Sequence, residues 1–251
     1  MLETGYLKES RTKIAYNKKV LPVLQNSPKL QSIIAHFIEC PMRPEQYLED
    51  LEHIGTGNHS IVYSFGAYAL KLSTGLTGKL AYEFGTTIPP ENLILQSQFL
   101  TLLKKYIDKN KITSLNVPNQ YIALRSANGN FLSIHENLTN EVSLSEWIIT
   151  KDLTMHEENT LLDHTKERIV EKLGSFVLKK GLNDLGIKSN GALNCRNIMI
   201  PKGDVDPFSA DLSIIDQPSK GAVHSIGGIL NNMFYLSTKN DFESLEDFLD
   251  V

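Results

Sequence analysis

One stretch constrains this chain more than any other. From Asp50 to Ser73 it reads DLEHIGTGNHSIVYSFGAYALKLS. Leu51 and Ile54 lead into Gly55-Thr56-Gly57. Ile61, Val62, Tyr63 and Phe65 then form a β-branched and aromatic run, Gly66-Ala67 turns the chain, and Tyr68-Ala69-Leu70-Lys71-Leu72 returns. The pattern predicts strand, glycine turn, strand, tight turn, strand. Glycines at 55 and 57 have no Cβ, so the backbone can pass close over a ligand. Lys71 is a lone charge in an apolar strand and is costly there without an anionic partner. Together these residues predict a lid and a clamp for a polyphosphate, although an ordinary β-hairpin with a glycine turn uses the same pattern.

The bulk properties narrow the classes. A chain of 251 residues suits one domain of two lobes or two small domains. A net charge of -4 does not predict a nucleic-acid partner. No apolar run approaches the ~18 residues of a membrane helix, so no span is expected. Residues 1 to 19 are polar and lysine-rich, without the apolar core of a secretory leader. Cys40 and Cys195 lack motif spacing, and His156 and His164 stand eight apart, so neither a disulfide framework nor a histidine metal pair is expected. This predicts a cytoplasmic protein, or one delivered into the cytoplasm of a host cell.

Outside the central stretch, residues 1 to 26 read as an extended or loosely packed basic arm. Ser27-Pro28 opens a helix with a good N-cap and a first-turn proline, and Leu30, Ile33, Ile34, Phe37 and Ile38 recur at helical spacing. A helix over 91–109 carries Leu93, Leu100, Leu103 and Ile107. Val117 to Arg125 and Phe131 to Glu136 form a hairpin. Trp147 reads as core, and a long amphipathic helix spans 157–185.

The central stretch resembles the ATP-binding lobe of the protein kinases, whose pattern is G-x-G-x-x-G-x-V followed by A-x-K. Here it stands as Gly55-Thr56-Gly57-Asn58-His59-Ser60-Ile61-Val62, then Ala69-Leu70-Lys71, with Ser60 in place of the third glycine. The resemblance implies that Gly55 and Gly57 cover the phosphates, that Lys71 holds the α/β-phosphates, and that Val62 and Ala69 lie against the nucleotide. Residues 134–148, IHENLTNEVSLSEWI, are similar to the kinase hinge, which implies that the Glu136 carbonyl and the Leu138 amide face the adenine edge. The family's helical glutamate, partner to the lysine, maps onto Gln96 by helix phase and onto Glu91 by distance from Lys71.

Further along, Leu193-Asn194-Cys195-Arg196-Asn197 and the Ile-Met-Ile strand after it are similar to the kinase catalytic loop H-R-D-L-x-x-x-N. Leu212-Ser213-Ile214-Ile215-Asp216 resembles the strand leading to the D-F-G aspartate. The resemblance makes Asn197 and Asp216 the magnesium ligands, and magnesium favours such oxygen donors together with substrate phosphates. The family's base, five residues before Asn197, falls on Ala192, or on Gly191 with a one-residue shift. Neither takes a proton, so the chain as given is expected to bind Mg·ATP yet transfer phosphate poorly. Three explanations stand: a kinase inactivated at Ala192, a natural pseudokinase, or other nucleotide chemistry such as nucleotidyl transfer. Asp184 and Asp211 are nearby carboxylates that the sequence does not place at the base position.

The expected fold is α+β and protein-kinase-like. Residues 1–47 form an arm and an amphipathic helix, 48–138 a small β-rich N-lobe, and 139–251 a truncated, mainly helical C-lobe resembling the minimal kinase-like effectors that some bacteria deliver into host cells. The expected activity is Mg·ATP-dependent phosphoryl transfer to a protein Ser/Thr hydroxyl, with catalytic positions Lys71, Ala192 and Asp216. A protein substrate or an activating protein is the expected partner. A small-molecule kinase is a further reading, with Asp204, Asp206 and Asp211 as an acidic substrate pocket.

Overall fold

The computed structural model describes residues 2–40, 45–56, 60–73, 92–127, 130–180, 193–215 and 240–250. It is a mixed α/β structure. The strands are β1 (Glu3–Leu7), β2 (Thr12–Tyr16), β3 (Glu52–Thr56), β4 (Ser60–Phe65), β5 (Tyr68–Ser73), β6 (Leu115–Asn116), β7 (Gln120–Arg125), β8 (Phe131–Glu136), β9 (Glu141–Ser143), β10 (Ile198–Pro201), β11 (Leu212–Ile214) and β12 (Asn240–Phe242). The helices are α1 (Leu21–Gln25), α2 (Pro28–Glu39), α3 (Glu45–Leu48), α4 (Asn92–Lys109), α5 (Leu144–Lys151), α6 (Met155–Lys180) and α7 (Leu245–Leu249). Among the described residues, no helix is long and apolar enough to cross a membrane.

The chain divides into two compact units. The first is built on an eight-stranded sheet of order β12-β1-β2-β7-β8-β5-β4-β3. Strand residues alternate between faces. Ile14, Tyr16, Leu70, Leu72, Ile122, Leu124, Leu132 and Ile134 all point to one face, where helices α1, α2, α3 and α7 bury them. Helix α2 forms as its sequence predicts: the Ser27 hydroxyl accepts the Leu30 amide, Pro28 occupies the first turn, and Leu30, Ile33, Ile34 and Phe37 are buried. Between β4 and β5, Gly66 has φ +56°, a left-handed conformation that glycine adopts without a Cβ clash.

The second unit is built on the sheet β6-β11-β10-β9. Leu115, Leu144, Trp147, Leu161, Ile169, Leu173, Ile198, Ile200, Leu212 and Ile214 share its core. The chain changes unit more than once, between Gln98 and Phe99, between Pro118 and Asn119, and between Asn137 and Leu138.

The structure corrects the expected organisation at three places. Residues 1–26 are no loose arm: β1 and β2 pair antiparallel, β2 pairs with β7, and Ile14, Ala15 and Tyr16 are fully buried. The strands are only five residues long, so their alternation is masked by the lysines around them. The C-terminal residues are not all second-lobe, because β12 pairs parallel with β1 and Phe248 of α7 sits in the first core. Third, the expected N-lobe segment 48–138 is interrupted. Helix α4 buries Leu100, Leu103 and Ile107 in the second core, joined by Leu115 and Val117. A helical stripe reveals an apolar face, not which core receives it. Pro118 follows Val117, and proline cannot donate to a strand ladder, so the expected strand 117–125 begins only at Gln120 as β7, while β6 before it pairs in the other sheet.

Phe248 is fully buried and packs edge-on against Tyr16 and Phe242, with ring centroids 4.9 and 5.4 Å away. Phe248→Ala is expected to lower the unfolding free energy by about 3 kcal/mol or more, read by urea denaturation. Ile149→Ala, at a side chain 75% exposed, is expected to change it by less than about 0.5 kcal/mol. Equal losses would mean that the C-terminal helix does not belong to the first core.

Candidate functional site

Alternation along β5 decides where Lys71 goes. Leu70 and Leu72 turn into the helix-covered core, so Ala69 and Lys71 occupy the opposite face. The register puts Lys71 across from Val62 on β4 and Ser133 on β8, and Ala69 across from Ser64 and His135. Val62, Ala69 and Lys71 are half-buried. One face of a single sheet thus brings together three of the expected nucleotide contacts.

Gly55 lies on β3 next to a register irregularity between His53 and Gly55. Such bulges re-aim a strand locally. A Cβ built on Gly55 would meet nothing within 4 Å, so the packing of the described protein atoms does not demand glycine there. Gly57 lies outside the described residues, as do Ala192 and Asp216, and also Glu91, Gly191 and Asp184. Gln96 lies within α4.

Two residues that the sequence reading missed share the Lys71 face. Ser133 and His135 are both buried, and the Ser133 hydroxyl lies 2.8 Å from His135 Nε2. Burial, and secondarily the charge of Lys71, pushes the His135 pKa down to about 3. The imidazole is therefore neutral at ordinary pH. The alternation in Phe131–Glu136 signalled the pair, since apolar Leu132 and Ile134 interleave with polar Ser133 and His135.

Beyond His135 the chain is fixed by Glu136 and Asn137. The Glu136 carboxylate accepts the Asn119 amide at 3.0 Å and its side-chain Nδ2 at 2.7 Å, which ties the start of β7 to the end of β8. Asn137 Nδ2 donates to Ser64 Oγ at 2.9 Å and to the Gly66 carbonyl at 3.0 Å, and its amide donates to the Ala67 carbonyl at 2.9 Å. The Leu138 carbonyl accepts the Glu141 amide at 3.0 Å, closing a turn into β9. Ser143 then caps α5 through the Glu146 amide.

In the second unit the expected apolar strands pair antiparallel as β10 and β11, with Ile198 opposite Ile214. Asn197 ends the 3-10 turn Cys195–Asn197 just before β10, and its side chain is half-buried. Its carbonyl accepts the Ile215 amide at 3.1 Å. A Ser213–Glu141 hydrogen bond of 3.0 Å links β11 to β9. The acidic residues of the 201–211 insertion have structural partners. Asp204 binds Lys151 at 2.7 Å, an exposed pair that holds its carboxyl below the usual range. Asp206 caps its own turn through the Ser209 hydroxyl and the Phe208 amide, and these lower its pKa likewise. Asp211 is exposed. Both cysteines are free thiols, and among the described residues no cluster of three or more His, Cys, Asp or Glu side chains could hold a metal.

No protein-family model matches the chain, and no curated protein matches its sequence. Solved structures with similarity include the aerobactin synthetase IucC from Klebsiella pneumoniae, at 9% identity and a TM-score of 0.36, covering 73% of this chain. This chain spans 38% of the length of that one. They also include an aminoglycoside phosphotransferase, APH(2")-IIia, in complex with GDP and kanamycin, at 12% identity and a TM-score of 0.28. That match covers 85% of this chain and 86% of the other.

His135 makes folding stability depend on pH. Its folded pKa lies below its unfolded value, so between pH ~6.5 and the folded pKa of about 3 the unfolded chain binds the extra proton. Stability contributed by the neutral imidazole is therefore complete above pH ~6.5 and is lost as the pH falls toward 3. Unfolding midpoints measured from pH 7 to 4 are expected to fall less steeply for His135→Gln than for the wild type. Parallel curves would contradict the assignment.

Proposed function

We propose that this chain binds a nucleoside triphosphate with magnesium on a protein-kinase-like scaffold whose chemistry is phosphoryl transfer from that nucleotide to a hydroxyl, with this copy inactivated at Ala192. The observation that carries the reading is the face shared by Val62 on β4 and by Ala69 and Lys71 on β5, the strand next to the one that leads into the hinge-like segment. A lysine on the face away from the helical core, beside small and apolar neighbours, suits a flat base followed by an anionic tail. Gly55 is compatible with the same reading, because open space lies where its Cβ would be.

The residue roles follow the resemblance. Lys71 holds the α/β-phosphates, Gly55 and Gly57 cover them, and Val62 and Ala69 flank the base. The Glu136 carbonyl and the Leu138 amide meet its edge. ATP is the donor that the resemblance implies, and a protein Ser/Thr hydroxyl is the acceptor. Asn197 offers an oxygen donor just before β10, the resemblance adds Asp216, and an Asn–Asp pair suits the oxygen chemistry magnesium requires. When bound, magnesium neutralises phosphate charge. Ala192 occupies the position of the general base. The lysine's partner is Glu91 or Gln96.

A nucleotide-binding pseudokinase that acts through a protein partner is the second reading, and alanine at position 192 favours it. The small-molecule kinase reading loses support from the insertion, since Asp204 and Asp206 are engaged by Lys151 and by their own turn.

Ala192→Asp is expected to raise phosphate transfer from labelled nucleotide by at least about 10²-fold over the chain as given, the typical lower contribution of a positioned base. The acceptors are a generic protein and the chain itself, and the gain is expected to vanish when Lys71→Ala is added. Transfer that stays at background in Ala192→Asp, with nucleotide bound, selects the pseudokinase reading.

A further inference from the structure

Glu136 uses its side chain where a strand ordinarily uses its backbone. Asn119 and Glu136 face each other one step beyond the Gln120–His135 pair of the β7–β8 ladder, and the Glu136 amide donates to the Asn119 carbonyl at 2.8 Å. Facing residues of such an antiparallel pair exchange two backbone bonds. Here the return bond is made elsewhere. The Asn119 amide donates to Glu136 Oε2 at 3.0 Å, and Asn119 Nδ2 donates to the same oxygen at 2.7 Å. Hydrogen bonds to an ionised group are roughly twice as strong as neutral ones, so the carboxylate takes both donors. Among the described residues, the Glu136 carbonyl is left without its ladder donor.

No described neighbour replaces that donor. Pro118 precedes Asn119 and has no N–H. On the β5 side the ladder passes over Glu136, because the amide that donates there is the next one, Asn137, to the Ala67 carbonyl at 2.9 Å. Successive residues of a strand bond to opposite neighbours, so the backbone groups of Glu136 belong to the β7 edge. That edge ends at Asn119, and the carboxylate keeps Asn119 from closing on the carbonyl.

We propose that the Glu136 carboxylate is a positioning residue for the nucleotide base: by holding both Asn119 donors it keeps the Glu136 carbonyl open for a ligand N–H, such as the exocyclic amine of a 6-aminopurine. The inference rests on the nucleotide reading above, which gives this carbonyl to the base edge, and adds the side chain that keeps it available. A 6-oxopurine sets acceptor against acceptor at the same place, and a site built to hydrogen-bond one group discriminates against its opposite. With the carboxylate removed, the Asn119 amide turns to the carbonyl, the ladder gains its missing bond, and the preference goes.

Equilibrium binding of Mg·ATP and Mg·ITP, the triphosphate of the 6-oxopurine inosine, to the full chain by calorimetry tests it in the wild type, Glu136→Gln, Glu136→Asp and Glu136→Ala. ATP is expected to bind about tenfold more tightly than ITP in the wild type, the scale of one hydrogen bond. Glu136→Gln keeps an acceptor oxygen at the same reach, and with it the preference. Glu136→Asp, one methylene shorter, and Glu136→Ala are expected to bring the two constants within about threefold of each other. A side chain that served stability alone would leave the ratio unchanged, and Glu136→Asp reports even if Glu136→Ala does not fold. ITP binding as tightly as ATP in the wild type, or a wild-type preference that persists in Glu136→Asp or Glu136→Ala, overturns the assignment of the carboxylate and leaves the nucleotide site standing. Failure of both nucleotides to bind overturns the nucleotide reading itself, and this inference with it.

Discussion

The Lys71 face depends on the alternation of a single strand. Leu70 and Leu72 are anchored in a core built by α1, α2, α3 and α7, and that burial fixes the register of β5. A one-residue slip would turn both leucines out of the core and Lys71 into it, at the cost of an unpaired buried charge. The same constraint aligns Val62 on one neighbouring strand and Ser133 on the other. The sheet therefore has a structural face and a chemical face, and the first enforces the second.

The second unit follows the same logic on a smaller scale. Ile198, Ile200, Leu212 and Ile214 are fully buried and hold β10 against β11. This pairing brings the Asn197 carbonyl to the Ile215 amide, a contact held by four apolar residues buried behind it. One crossing between units lies in the segment after β8, where Asn137 is fastened to the end of β4 and the β4–β5 turn by three hydrogen bonds.

Sequence alone revealed the elements with strong periodicity or punctuation. The β3–β4–β5 order, the Gly66 turn, the Ser27-capped helix and the β10–β11 strands were all legible, because glycine turns, caps and apolar runs act locally. What it missed was set by distant partners. β1 and β2 are short and flanked by lysines, and they become strands by joining β7 and β12. The helical stripe of α4 gave no sign that Leu100, Leu103 and Ile107 would serve the second core. The common face of Lys71, Val62 and Ala69 was readable from the strand pattern, whereas the Ser133–His135 pair on that face was passed over. A polar residue in a strand gains meaning only from its cross-strand neighbours, here Lys71 and Ala69. Ala192 and Asp216 rest on the sequence pattern alone.

The most direct test of the central claim, that Lys71 anchors a bound nucleoside triphosphate, is a ligand shift of the unfolding transition. A ligand at 100 times its dissociation constant adds about 2.7 kcal/mol of stability to the form that binds it. Mg·ATP and Mg·GTP would be added in turn to the wild type and to Lys71→Ala, with thermal unfolding followed in each. The account predicts an upward shift in the wild type with at least one nucleotide and none in Lys71→Ala at the same concentration. No shift with either nucleotide, or an equal shift in both proteins, would contradict it.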